Sequence, residues 1–395
     1  MKPQIPPLEA VSKRLSPSYE RGILTNGPLV RELEEAAAER LGTAHVVAVS
    51  SCTSALMLVL RAFGLQGSVV VPSFTFSATV QALTWNGLDP AFVDCDALTF
   101  QAASDSVEAA SGAAVGLIAT HIFGAPSPVE TLEEVARRRG IPLLFDAAHG
   151  FGARRRGRPI GGFGTAEVFS MSPTKPLVAG EGGLVSTNDA ELASAVRDAR
   201  NYGDRGDYDP RLLGLNARMS EMHAALALEG LVNFDENLAR RRRVAQWYRD
   251  GLRGIAGVTC QEVDDADEST YKDLAILIEP EEFGSTREVV AAALRDEGVE
   301  TRRYFSPPVH RQRFYRERQA CHLPRTDRVA SRVVNLPIYP SLEKETIFGI
   351  VGALRRIQAH AEEVSVVFDR RGPDGSAGRA EASSLRVGTG GRGYR

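Results

Sequence analysis

The sequence predicts an α/β fold built on a mainly parallel sheet, and two observations carry that reading. From about Thr43 to Asp198, short β-rich runs alternate with helical ones. The β-rich runs are continuously apolar rather than alternating, as strands covered on both faces should be. In chain order the strands fall at residues 46–49, 69–71, 91–93, 116–119 and 142–145. Between them, residues 54–63, 77–85 and 128–139 repeat their apolar positions at spacings near three and four, which predicts amphipathic helices. Residues 167–171 and 183–187 read as two more buried strands, separated by a Gly-rich turn. From Met219 to about Leu252 the pattern predicts one long helix, whose run Arg240-Arg-Arg-Arg243 reads as a solvated face. A smaller α+β unit follows, with a strand near 274–277 and helices near 286–297 and 342–358.

The expected division is a large domain with an N-terminal arm over residues 1–245, a small C-terminal domain over 246–366, and a disordered tail over 367–395. The tail is too rich in Gly, Ser and Arg to bury a core. Its run Gly388-Thr-Gly-Gly-Arg-Gly393 has a dinucleotide-binding spacing but no strand before it and no room for a helix after it, so it reads as a chance match.

Composition narrows the function. At 395 residues the chain can hold two lobes, given about 150 residues per domain. A formal charge of -3 gives no reason to expect a nucleic-acid partner or a membrane surface. Cys52, Cys95, Cys260 and Cys321 lack CxxC or Cys/His spacing, so no metal site is expected and the thiols read as reduced. No run approaches the ~18 apolar residues of a membrane span, and a soluble, cytoplasmic protein is expected.

Functional loops of such sheets collect at the carboxyl ends of the strands. Asp146 follows the apolar strand at 142–145, and Lys175 sits on the Gly-rich turn between two buried strands. Taken alone, Lys175 reads as a surface lysine and Asp146 as a helix cap. Together they are what a pyridoxal phosphate (PLP) enzyme needs: an amine for the Schiff base and an anion for the pyridinium nitrogen. Lys175 would serve as general acid/base, and Asp146 would keep the ring protonated.

Several segments, in order, resemble the nucleotide-sugar aminotransferases of the DegT/StrS type. They are Gly27-Pro-Leu-Val-Arg-Glu-Leu-Glu34, Ser50-Ser-Cys-Thr-Ser-Ala-Leu56, Pro72-Ser-Phe-Thr-Phe-Ser-Ala-Thr79 and His121-Ile-Phe-Gly-Ala-Pro126. Asp146-Ala-Ala-His149, the Lys175 loop, Gly214-Leu-Asn-Ala-Arg-Met219 and Asn335-Leu-Pro-Ile-Tyr-Pro340 complete the series. The resemblance implies the PLP fold type I, aspartate-aminotransferase-like. It implies that Cys52, Thr53 and Ser170 bind the cofactor phosphate, that Phe76 stacks on the ring and that His149 contacts its phenolic oxygen. Cys52 stands where many relatives carry Gly or Ala. Asn216 resembles a residue that reaches the phosphate of the other subunit, which implies a homodimer with shared active sites. Arg218, Tyr304 and His310 fall where relatives meet substrate.

The implied reaction moves an amino group from L-glutamate or L-glutamine to the keto carbon of a nucleotide-linked deoxysugar, with dTDP the expected nucleotide. A cyclitol aminotransferase and a sugar dehydratase share the scaffold, though dehydratases of this kind commonly carry His in place of the lysine. A non-catalytic regulator is the third reading, weakened by Lys175, Asp146, Ser170 and Thr53 occurring together. The Ala/Arg/Gly-rich composition resembles that of high-GC bacteria and suggests a secondary-metabolite sugar.

Overall fold

The structure, a computed structural model, describes residues 3–371. Its larger sheet has seven strands: β1 (His45–Val49), β2 (Ser68–Pro72), β3 (Asp89–Val93), β4 (Gly116–Thr120), β5 (Leu143–Asp146), β6 (Ala166–Ser170) and β7 (Gly183–Thr187). Across the sheet the order is β1, β7, β6, β5, β4, β2, β3. Neighbours run parallel except around β7, which is antiparallel to both β1 and β6. The sheet is therefore mixed and mostly parallel, as the apolar runs predict.

Alternation along the strands feeds two cores. Val46, Ala48, Val70, Leu117 and Phe145 pack with α2 (Pro28–Leu41), α5 (Val129–Arg139) and α7 (Glu221–Val232). Val47, Val49, Val71, Ile118 and Leu144 pack with α3 (Cys52–Phe63), α4 (Ser77–Trp85) and α6 (Ala190–Ala199). Helix α1 (Leu8–Glu20) is tied on by two carboxylates, Glu229, which accepts from Arg14, and the buried Glu221. Glu221, at the start of α7, accepts from the Ser18 hydroxyl at 2.9 Å and from the amides of Gly27, Leu29 and Val30 at 2.9, 3.0 and 3.0 Å. It satisfies orphan donors at the start of α2, where Pro28 supplies no N–H.

The single helix expected over 219–252 is two. It breaks at Asn233 (φ -111°, ψ 17°), and α8 (Phe234–Leu252) begins there. The break turns Phe234 into the core, edge-on to Phe151 at 5.3 Å. Helix α8 then joins the lobes, for Leu238 belongs to the core under the large sheet and Val244, Tyr248 and Leu252 to that of the second lobe. The expected division at residues 245 and 246 falls inside this helix.

The second lobe is an antiparallel sheet of β8 (Val258–Cys260), β9 (Leu274–Ile278) and β10 (Val333–Leu336), with β9 central. It packs on α9 (Arg287–Asp296) and α10 (Lys344–Ala359). Residues 367–371 of the expected tail belong to a final helix, α11 (Ala361–Arg371). The rest of that tail, including Gly388 to Gly393, lies outside the described residues. Among the described residues, no helix is long and apolar enough to cross a membrane.

Candidate active site

At the carboxyl edge of the large sheet, a cavity of about 320 Å³ opens where the second lobe meets it. Of the residues expected to act, Cys52, Thr53, Phe76, Asp146, His149, Ser170, Lys175 and Tyr304 lie on its wall. The strand order explains the gathering. The ends of β5 and β6 sit side by side, and β7 begins beside the end of β1, pairing Gly183 with both Val49 and Ser170.

One end of the cavity is the start of α3. Ser51 and Ser54 form a capping box, the Ser51 hydroxyl accepting from the Ser54 amide and the Ser54 hydroxyl from the Ser51 amide, both at 3.0 Å. The Ala55 amide donates to the Ser51 carbonyl. The box leaves the Cys52 and Thr53 amides as the open donors at the positive end of a helix, an arrangement that binds anions. Gly183 presses against this turn, for a Cβ there would lie 2.5 Å from the Ser51 carbonyl oxygen and 2.6 Å from the Cys52 nitrogen. Burial and the nearby Asp146 carboxylate push the Cys52 thiol well above its usual range, so it is a neutral thiol.

Asp146 forms the floor. Its Oδ2 accepts from the Thr79 hydroxyl at 2.7 Å and its Oδ1 from the Ala148 amide at 3.0 Å, and Thr79 pairs with Thr75 at 2.9 Å. His149 Nδ1 accepts from the Phe123 amide at 3.1 Å, and the two rings stack at 6.3 Å. Burial, with Lys175 and Lys272 beside it, pushes the imidazole well below its ordinary value. It is therefore neutral with its proton on Nε2, a donor.

Lys175 lies on a turn closed by its amide to the Ser172 carbonyl at 3.0 Å. Burial and the neighbouring Lys272 ammonium bring its pKa down to about 8, against the pull of the Asp273 and Asp146 carboxylates. A lysine so lowered carries a usable free amine near neutrality. Ser170, at the end of β6, places its hydroxyl 3.4 Å from that of Ser172.

Three expected residues are not on the wall. Asn216 is exposed and bridges Asn201 through the backbone. Arg218 donates to Asn201 Oδ1 at 2.6 Å and lies 5.4 Å over the Tyr202 ring. His310 points elsewhere, and its expected contact with substrate needs correction. Its Nδ1 is 2.6 Å from the Ser73 hydroxyl and its Nε2 3.2 Å from Asp327, while its ring packs beside Phe92. The structure adds wall residues that the sequence reading did not single out, notably Thr120, Glu181, Lys272, Asp273 and Phe305. Lys272 and Asp273 carried a signal of the kind that marked Asp146: two charged residues at the edge of a continuous apolar strand.

Comparison with known proteins agrees with this architecture. The profile of the DegT/DnrJ/EryC1/StrS aminotransferase family matches residues 9–355. A relative from Acidithiobacillus ferrooxidans, named UDP-N-acetyl-3-dehydro-alpha-D-glucosamine 3-aminotransferase, is 34% identical over 82% of this chain and 88% of its own. The dTDP-4-amino-4,6-dideoxy-D-glucose transaminase of Shigella dysenteriae is 28% identical over 90% of this chain and 98% of its own. Among solved structures, DesI crystallised with its TDP-sugar product superposes with a TM-score of 0.88 at 37% identity, covering 93% of this chain and 94% of its own. DesV of S. venezuelae gives 0.82 at 31% identity, over 90% of this chain and 99% of its own.

Proposed function

Since the chain belongs to the DegT/DnrJ/EryC1/StrS aminotransferase family, we propose that its cavity holds PLP and that it moves an amino group from L-glutamate or L-glutamine to the keto carbon of a nucleotide-linked deoxysugar. One observation carries the reading. An amine lowered to about 8, a buried carboxylate and a pair of open helix amides share one cavity. The names of the relatives supply the substrate class.

The residues fit the cofactor. The Cys52 and Thr53 amides, with the Thr53 and Ser170 hydroxyls, would hold its phosphate, and the missing Cβ of Gly183 keeps that seat open. Asp146, fixed by Thr79 and the Ala148 amide, would hold the ring nitrogen protonated. His149 would donate from Nε2 to the ring oxygen, and Phe76 would cover one face. Thr120, whose buried hydroxyl lacks a partner, adds an unused hydrogen-bonding group to the wall. Bound there, PLP supplies the electron sink that lets an amino group leave one carbon and join another. Lys175 is the amine that would anchor the group and, as a free amine, would take and return the proton at the substrate carbon.

We read the enzyme as a homodimer, with Asn216 serving the neighbouring site. Its exposure and its absence from its own cavity support that assignment. Lys175 counts against the dehydratase reading.

The test is direct. Holoenzyme is mixed with 2-oxoglutarate and dTDP-4-amino-4,6-dideoxy-D-glucose or a UDP-linked 3-amino sugar, and L-glutamate is detected by mass. L-glutamate should appear with the wild type and not with Lys175→Ala. Its absence with every sugar, from a holoenzyme that reacts with L-glutamate alone, would sink the sugar assignment.

A further inference from the structure

One buried pair on the cavity wall, which acts on Lys175 only through its charge, is given no contact with cofactor or substrate in the scheme above. Lys272 and Asp273 are adjacent in sequence, and both side chains face the same cavity. The two residues form a bend just ahead of β9 rather than part of the strand, so strand alternation does not hold them to opposite sides. Tyr271, immediately before them, has φ at +46°, a left-handed conformation unusual for a tyrosine. The strained residue is clamped on either side, by the Thr270 amide to the Gly124 carbonyl at 3.1 Å and the Lys272 amide to the Phe123 carbonyl at 2.9 Å. Backbone strain of this kind clusters at ligand clamps.

The pair is nearly dry, with Lys272 3% and Asp273 4% exposed. The ammonium reaches both carboxylate oxygens, at 3.1 and 2.9 Å, and lies 5.1 Å from the centre of the Tyr304 ring. Apolar residues of similar volume usually stabilise such a place as well as an ion pair does, so stability alone does not explain the pair. Its chemistry points to a class of ligand. A phosphate or carboxylate would gain from Lys272 and be repelled by Asp273. A hydroxyl-bearing ring needs no net charge from the pair. It finds a spare N–H on Lys272 and free lone pairs on Asp273, beside the aromatic face of Tyr304.

We propose that Lys272 and Asp273 together recognise neighbouring hydroxyls on the hexose of the substrate, Asp273 accepting from one and Lys272 donating to the other, while the nucleotide lies outside their reach. This rests on the nucleotide-sugar reading of the cavity. It assigns hexose selectivity to the small lobe, at the edge of β9.

The test replaces the pair as a unit, Lys272→Met/Asp273→Leu, which removes both members of the ion pair together, while buried Arg241, whose charge Asp273 also favours, keeps its bonds to the Tyr271 and Ile338 carbonyls and a thermal melt checks that the fold survives. The double change also removes two opposite influences on Lys175, the ammonium that lowers its pKa and the carboxylate that raises it. Calorimetry on the holoenzyme compares dTDP-4-amino-4,6-dideoxy-D-glucose with dTDP, and the cofactor spectrum follows the L-glutamate half-reaction separately. Loss of two charge-assisted contacts should weaken the sugar nucleotide by about 100- to 10,000-fold, with dTDP affinity held within about twofold, inside the scatter of independent sites. The loss for the sugar should also exceed any change in the L-glutamate half-reaction. Equal weakening of dTDP and sugar nucleotide would overturn the proposal, and so would unchanged sugar affinity. A wild type that binds the two ligands equally would overturn it too. If sugar selectivity depends on the pair yet no amino group passes to 2-oxoglutarate, the proposed reaction fails and this inference stands.

Discussion

Gly183→Ala offers a sharp probe of the anion seat, because the glycine touches the helix start without being a ligand. An added Cβ would sit 2.5 Å from the carbonyl carbon and oxygen of Ser51 and 2.6 Å from the Cys52 nitrogen. The strand cannot retreat, since Gly183 is paired with Val49 on one side and Ser170 on the other. The first turn of α3 must give way instead, by roughly 0.9 Å to regain ordinary contact. That displacement takes a hydrogen bond of about 2.9 Å past the limit of useful geometry. Each amide bond to a charged phosphate is worth about 1.5–3 kcal/mol, so losing one lowers PLP affinity by about 10- to 100-fold. The steric cost to the fold itself is about 1–3 kcal/mol. Titration of apoenzyme with PLP, followed by cofactor absorbance, reads the first effect, and thermal melting without PLP reads the second. Gly112→Ala is the control, for a Cβ there meets nothing within 4 Å. A Gly183→Ala enzyme that binds PLP as the wild type does would refute the placement of the phosphate at this turn.

Three other outcomes are expected. Glu221→Ala leaves four donors without their buried acceptor and should cost about 3–5 kcal/mol, read as a lowered melting temperature with the start of α2 losing amide protection. His149 has a pKa below its unfolded value near 6.5, so the unfolded chain binds the extra proton and stability is lost as pH falls below about 6.5. His149→Gln should flatten that acid limb in a pH series of melts while keeping an amide donor toward the ring oxygen, and an unchanged limb would mean that another group dominates. Mixing Lys175→Ala with Asn216→Ala subunits, each inactive alone, should restore about a quarter of full activity after exchange if the sites are shared across a two-fold axis. A monomer in sedimentation, or no recovery despite proven exchange, would remove the cross-subunit role of Asn216.

Much of this architecture was legible because burial on both faces leaves an unmistakable trace. Strands such as Val69 to Val71 and Gly116 to Ala119 are apolar at successive positions, and no solvated helix reads that way. Asp146 and Lys175 stood out because their charge interrupts such a background. The break at Asn233 was hidden, since apolar spacing continues through it and what stops the helix is the need of Phe234 to reach Phe151, a contact 83 positions away. Helix α1 was hidden for a similar reason. Its sequence carries Pro17 and few apolar residues, and contacts with Glu221 and Glu229 of α7 tie it down. His310 misled because a histidine near a substrate loop looks the same in sequence whether it faces the ligand or Ser73. Lys272 and Asp273 were hidden because they read as the start of a strand, where neighbours face opposite ways, and the bend that brings both to the cavity leaves no mark in the sequence.

The reversed direction of β7 has a consequence for how this scaffold can change. A parallel neighbour to β6 would need a long crossover to return to the start of the sheet. Because β7 runs the other way, the segment holding Lys175 leaves Ser170 and re-enters at Gly183, both on one rim, and the two residues are themselves paired. The lysine thus hangs from a closed loop whose feet are fixed by the sheet. Lengthening such a loop costs only about 0.6 kcal/mol per doubling, and no strand register has to follow. Residues inserted or removed among Ser172 to Thr174, ahead of the lysine, would alter how far its amine reaches over the floor at Asp146, whereas Leu177 and Ala179 beyond it are buried in the core and hold that side in place. In this fold the depth of the reactive amine is a variable that mutation can adjust independently of the frame.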